Sequence, residues 1–189
     1  RGRITAAMTQ PLKFKMAATA GMQAIALTHR PHAALFVPKR REERTTEGGL
    51  EGAANANWMG SRHARLRDAG CRVSLFIAAD PAQIAAAARI GAPVIELHTG
   101  AYCDFHAEGD FAASEAELAR LIAGAKQAAD LGLEVHMGHG LSYDNVAPIA
   151  AIPEVVELNI GHFLIGEAVF VGLSAAIAQM RSHMDAARR

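Results

Sequence analysis

The chain has 189 residues, 51% of them hydrophobic, with 19 basic and 19 acidic side chains. That is enough for one substantial core, and the balanced charge excludes a global pull toward nucleic acid or a membrane surface, so any anion site must be local. No apolar run approaches the roughly 18 residues of a membrane span, and the opening RGRITAAMTQ lacks the apolar core of a signal peptide. Cys71 and Cys103 have neither zinc nor redox-motif spacing and read as free thiols of a reducing cytoplasm.

In chain order, LKFKMAA (12–18) reads as a strand, followed by a helix that Thr19 can cap and Pro31 ends. AALFVP (33–38) is a second strand, followed by the charged stretch KRREERTTEGGLEG and the helical NANWMGSRHARLRDAG. RVSLFIAA (72–79) runs into DPAQIAAAARIG, with Asp80 as N-cap, Pro81 in the first turn and Gly91 past the end. PVIELH (93–98) leads through a loop to SEAELARLIAGAKQAADLG, where Ser114 and Glu117 have capping-box spacing. LEVHM (133–137) precedes a short helix after Ser142, and VVELNIG (155–161) leads to a final helix over 173–188.

Six strand–helix units in succession predict parallel strands, because parallel neighbours need crossover connections. The strands read as apolar on both faces, as buried parallel strands should. An open doubly wound sheet and a (β/α)8 barrel both fit. A barrel typically needs about 250 residues, so this chain would lack two βα units. Its start at Arg1 rather than methionine suggests that the N-terminal part is what is absent. The barrel expectation is thus one domain, 1–189, holding strands three to eight.

In both architectures sites form at the C-terminal ends of strands, and the polar residues of this chain collect there. Thr45, Thr46, Gly48 and Gly49 follow the second strand, and Glu96 and His98 end the fourth. A glutamate pointing inward from an apolar strand must be paired or protonated. Gly138-His139-Gly140 follows the fifth strand and Gly161-His162 the sixth, where glycine turns can cradle a phosphate dianion on backbone N–H groups. His139 titrates near neutrality and is a candidate acid or base. His136, within the strand, reads as a satisfied structural histidine. His98, His139 and His162 come with no acidic ligand pattern, so a metal is not expected, and neither a dinucleotide fingerprint nor a P-loop occurs.

The strings FVPKRREERTTEGGL, IELHTGAYCD, GHGLSYDNV and IPEVVELNIGHFLIGEAVFVGL together resemble the pyridoxine 5'-phosphate synthases of the deoxyxylulose-dependent route to vitamin B6, from about residue 12 to the C-terminus. The resemblance implies a (β/α)8 TIM barrel of the cytoplasm, assembled as a homooctamer. It also implies a transferase-type synthase without metal or organic cofactor, acting on small phosphorylated substrates. The implied reaction joins 1-deoxy-D-xylulose 5-phosphate to 3-amino-2-oxopropyl phosphate, with loss of phosphate and water. By the same resemblance Thr45 holds the deoxyxylulose phosphate and His139 donates a proton. Gly140, Gly161 and His162 face the aminoketone phosphate, and Glu96 stabilises a charged transition state.

One departure bears on activity. The family carries a catalytic glutamate in the string FEMA, where this chain has Phe14-Lys15-Met16-Ala17. A lysine, with an ordinary pKa of about 10.4, cannot accept a proton as a carboxylate does, although it can attract a phosphate. Weakened or lost turnover is therefore expected, and a catalytically silent sugar-phosphate-binding or oligomer-forming variant stands as an alternative. A third reading is an aldolase- or isomerase-like barrel with Lys15 as its Schiff-base residue.

Overall fold

The computed structural model describes residues 7–37 and 56–189. Thr45, together with Thr46, Gly48 and Gly49, lies outside the described residues. The strands are β1 (Lys13–Ala17), β2 (Ala33–Val37), β3 (Arg72–Ile77), β4 (Val94–His98), β5 (Glu134–Gly138) and β6 (Val155–Asn159). They pair in that order, each parallel to the next. A doubly wound sheet reverses its strand order at a switch point; this one does not, which is the order of barrel staves. The helices are α1 (Ala20–His29), α2 (Ala56–Asp68), α3 (Pro81–Ile90), α4 (Gly100–Glu108), α5 (Phe111–Asp130), α6 (Val146–Ala150), α7 (His162–Val171) and α8 (Leu173–Ala187). None of the described helices is long and apolar enough to cross a membrane.

Local chemistry fixes most helix ends where the sequence places them. Thr19 Oγ1 accepts from Met22 N at 3.3 Å, and Asp80 Oδ1 accepts from Gln83 N at 2.9 Å, each satisfying an orphan donor of the first turn. Gly91, at φ 79°, ends α3 in the left-handed conformation that glycine adopts without penalty. The capping box expected at Ser114 and Glu117 does not form. Asp110 caps α5 by accepting from Ala113 N at 3.1 Å, and Ser114 lies buried inside the helix, donating to Tyr102 O at 3.2 Å. Two helices were not anticipated: α4, where a loop was expected after β4, and α7, directly after β6.

The faces of the sheet differ, and the expectation of strands apolar on both sides is corrected here. Outward-facing Met16, Phe36, Leu75, Ile77, Leu97 and Met137 pack against helix residues such as Ala26, Leu66, Ile84 and Leu121 to form the hydrophobic core. The inward face is mixed: β2 and β3 bring Leu35 and Phe76 to it, while β1, β4, β5 and β6 bring charged side chains. Lys13 of β1 reaches Glu157 of β6 at 2.6 Å, so the sheet curls until its first and last strands meet through their side chains. His136 is held between Glu134 Oε1 (2.7 Å) and Lys13 Nζ (2.9 Å), and Arg72 pairs with both oxygens of Glu134 at 2.8 and 2.7 Å. Each inward charge is compensated by a neighbour, as interior charge must be. The structural reading of His136 thus fits its surroundings.

Candidate active site

Two residues of each strand end share the inward face because side chains alternate along a strand. On β4 these are Glu96 and His98; on β1, Lys13 and Lys15. Glu96 is fully buried and its Oε1 accepts from Lys15 Nζ at 3.0 Å, while Lys13 Nζ stands 3.7 Å from Oε2. The inward glutamate is therefore paired, as its position requires, and its partner is the lysine at the departing position. Lys15 is the outer member of the pair, with 47% of its side chain exposed.

Next to Glu96, β5 and β6 close tightly. Gly138 pairs with Asn159, and a Cβ on Gly138 would lie 2.5 Å from Asn159 O and 3.1 Å from Glu96 Oε1. Glycine at 138 is thus required by backbone approach. The following turn is unusual in that the left-handed conformation falls on His139 itself, at φ 92°, as well as on Gly140 at φ 83°. A non-glycine residue there stores strain of order 1–3 kcal/mol, which persists only when neighbours over-determine the geometry. They do: Thr99 Oγ1 donates to His139 O at 2.6 Å, Cys103 Sγ donates to the same oxygen at 3.5 Å, and Thr99 N donates to Gly138 O at 3.0 Å. Burial pushes the Cys103 thiol up to about 12, so it stays protonated and can serve as that donor. A Cβ on Gly140 would lie 2.8 Å from Cys103 Cβ, which explains glycine at that position.

The imidazole of His139 stacks on that of His98, with ring centroids 4.6 Å apart, and Phe76 packs edge-on against His98 at 4.9 Å. Gly100 N donates to His98 Nδ1 at 3.0 Å, which places the proton of a neutral His98 on Nε2. His139 is exposed at the strand end while His98 is buried beneath it. The exposed imidazole at the strand end is thus supported from below by a second imidazole of fixed tautomer. Sequence reasoning singled out His139 but assigned nothing to His98, Thr99 or Lys13. The spacing of Glu96 and His98, two apart on one strand, was the available signal.

The second glycine–histidine corner is built differently. Gly161 precedes α7 and His162 is its first residue; both are exposed, and a Cβ on Gly161 would meet nothing within 4 Å. The two corners lie at the ends of paired strands, since Gly138 is matched with Asn159. Among the described residues no group of three or more His, Cys, Asp or Glu side chains could hold a metal ion.

Carboxylates of β5 and β6 further from the C-terminal strand ends are strongly held. Arg72, donating to both oxygens, keeps Glu134 at about 2, with His136 adding a further hydrogen bond. Glu157 is likewise held well below the usual carboxylate range by His136 first and Lys13 second.

Among solved structures the fold is similar to an HpcH/HpaI aldolase/citrate lyase family protein from Burkholderia cenocepacia J2315 (TM-score 0.56, 14% identity, 94% of this chain and 77% of that one). It is equally similar to a xylose isomerase domain protein from Planctomyces limnophilus (TM-score 0.56, 16% identity, 92% and 71%). At such identities the likeness speaks for the fold alone. Among curated proteins, the chain is 72% identical to a pyridoxine 5'-phosphate synthase of Jannaschia sp. strain CCS1, over 98% of this chain and 75% of the relative. It is 67% identical to the protein of the same name from Roseobacter denitrificans, over 96% and 73%. The family profile described as pyridoxal phosphate biosynthesis protein PdxJ matches residues 2–186, and the chain belongs to that family.

Proposed function

We propose that the chain is a pyridoxine 5'-phosphate synthase, joining 1-deoxy-D-xylulose 5-phosphate to 3-amino-2-oxopropyl phosphate and releasing phosphate and water. The observation that carries this is the 72% identity to a protein of that name across nearly the whole chain. The strand-end geometry supports it. Ring closure by imine formation and dehydration needs several proton transfers, and His139 is an exposed imidazole held on a strained, tethered turn. In this reading His139 donates protons and Glu96 faces developing positive charge. Gly140, Gly161 and His162 take the aminoketone phosphate, the last two at the N-terminus of the ten-residue α7, where backbone N–H groups favour an anion. Thr45 takes the deoxyxylulose phosphate. Residues 1–189 supply staves three to eight of a single barrel domain, in a cytoplasmic homooctamer.

The test is to incubate the native full-length protein with both substrates and follow pyridoxine 5'-phosphate by chromatography. Product formed in proportion to enzyme supports the reading; its absence, with both substrates bound, favours the silent variant. A specific observation keeps that second reading in view: Lys15 occupies the side of Glu96 where the resemblance places a carboxylate, and neutralises it at 3.0 Å. On the synthase reading, Lys15→Glu should raise turnover, and an unchanged rate would count against the assigned importance of that position.

A further inference from the structure

Lys15 has three properties that the proton-transfer scheme above does not use. Its amine is the outer, accessible member of a pair whose inner member, Glu96, is fully buried. A proton acceptor lies on it at 3.0 Å. A second ammonium, Lys13, stands 3.7 Å from the other oxygen of the same carboxylate and is itself engaged by Glu157 at 2.6 Å. Lys13 therefore supplies a counter-charge that stays with Glu96 when Lys15 leaves it. Lysines beside another cation, at a site that holds a carbonyl compound, are the ones that form Schiff bases.

We propose that Lys15 is an imine-forming residue that captures the ketone of a small keto-phosphate on its Nζ, with Glu96 as the proton carrier. The inference rests on the reading that the strand ends bind phosphorylated ketones. The step balances within the chain. One proton passes from Lys15 to Glu96 along their hydrogen bond, and the free amine forms a C–N bond to the carbonyl carbon. Glu96 returns its proton to the carbonyl oxygen, then takes one from the nitrogen and delivers it to the hydroxyl. That hydroxyl leaves as water as the nitrogen lone pair closes the C=N bond. In sum, ammonium and ketone give iminium and water, and Glu96 ends as the carboxylate it began as. The adduct holds the ketone on the chain rather than leaving it free for the substrate amine, in line with the higher turnover expected of Lys15→Glu.

The experiment is borohydride trapping on the native full-length protein with 1-deoxy-D-xylulose 5-phosphate, read by intact mass and peptide mapping. Binding of the same ligand is measured in parallel by calorimetry. The expected result is a mass gain of one ligand less one oxygen, located on Lys15, lost in Lys15→Arg and strongly slowed in Glu96→Gln. Labelling spread equally over Lys13, Lys39 and Lys126, or persisting in Lys15→Arg, overturns the inference. Binding without a trapped adduct overturns it while leaving the phosphate-site reading intact; absence of binding overturns both.

Discussion

The two glycine–histidine corners look alike in sequence and are opposites in structure. At the β5 corner, a methyl group on Gly138 or Gly140 would meet other atoms at 2.5 and 2.8 Å, and the histidine carries a left-handed φ tethered by Thr99. At the β6 corner, a methyl on Gly161 meets nothing, His162 is exposed, and α7 buries none of its residues although Val169 and Phe170 are 79% and 85% exposed. The first corner is fixed by its own chain before any ligand arrives. The second owes its geometry only to the start of a helix. A glycine beside a histidine can therefore mean enforced close packing or open access, and the surrounding atoms decide which.

The largest effect that tests this contrast belongs to Gly138→Ala. The added methyl opposes the Asn159 carbonyl across a strand pair and presses on Glu96, and neither strand backbone can yield cheaply. Overpacking of this kind costs about 1–3 kcal/mol, read as a lower urea midpoint, and turnover should fall with it as Glu96 is displaced. A variant as stable as the parent would break the claim that the β5 corner is sterically closed.

Thr99→Val comes next. It removes the hydroxyl that donates to His139 O at 2.6 Å, a loss of about 0.5–1.5 kcal/mol for one hydrogen bond. His139 then has one tether fewer against its strained φ, so kcat should fall more than KM rises, and Thr99→Ser should restore both. Equal kinetics in Thr99→Val and parent would mean that the tether is not what positions the imidazole.

A smaller effect appears in acid. Glu134 is held near 2 in the folded chain against about 4.3 in an unfolded one. Its folded pKa is depressed, so its contribution is present above the unfolded value and is lost as pH falls from about 4.3 toward 2. Glu157 is depressed in the same direction and fails in the same sense. Because Glu134 is partly exposed, solvent screens its pairing with Arg72 and the change is modest. Thermal unfolding midpoints followed through this window should fall less in Glu134→Gln than in the parent. Parallel curves would show that the charges beneath the β5 corner do not support it.

Much of the fold was legible because it rests on local rules. Asp80, Pro81 and Gly91 bracket α3 where capping chemistry puts them, and six strand signals separated by helices leave few alternatives. The polar interior was harder to read, although its trace is there. KFK, ELH, EVH and ELN at 13–15, 96–98, 134–136 and 157–159 each set two polar residues around one apolar residue, a period of two. Taken singly each is lost among neighbouring valines and leucines; only the sheet register brings them into one ring. The stacking of His98 on His139 was beyond sequence reasoning for a different cause, since it depends on Thr99 and Cys103, after β4, both donating to the carbonyl of His139, after β5. Lys15 was noticed as a departure, but its partner could be named only once β1 and β4 were seen to face each other across the barrel.

The smallest change is the most discriminating. At Gly161, φ is −122°, a value open to any residue, and no atom lies within 4 Å of the added carbon. Gly161→Ala should therefore leave stability within about 0.5 kcal/mol of the parent, as surface substitutions do. Its effect should fall on ligand binding instead, because the methyl stands where a phosphate would approach the first N–H groups of α7. Weaker binding of a phosphorylated substrate at unchanged unfolding midpoint would separate this corner cleanly from the β5 corner, where stability and activity fall together. A large loss of stability would mean that something covers Gly161 in the intact protein, and the contrast between a closed and an open corner would no longer hold.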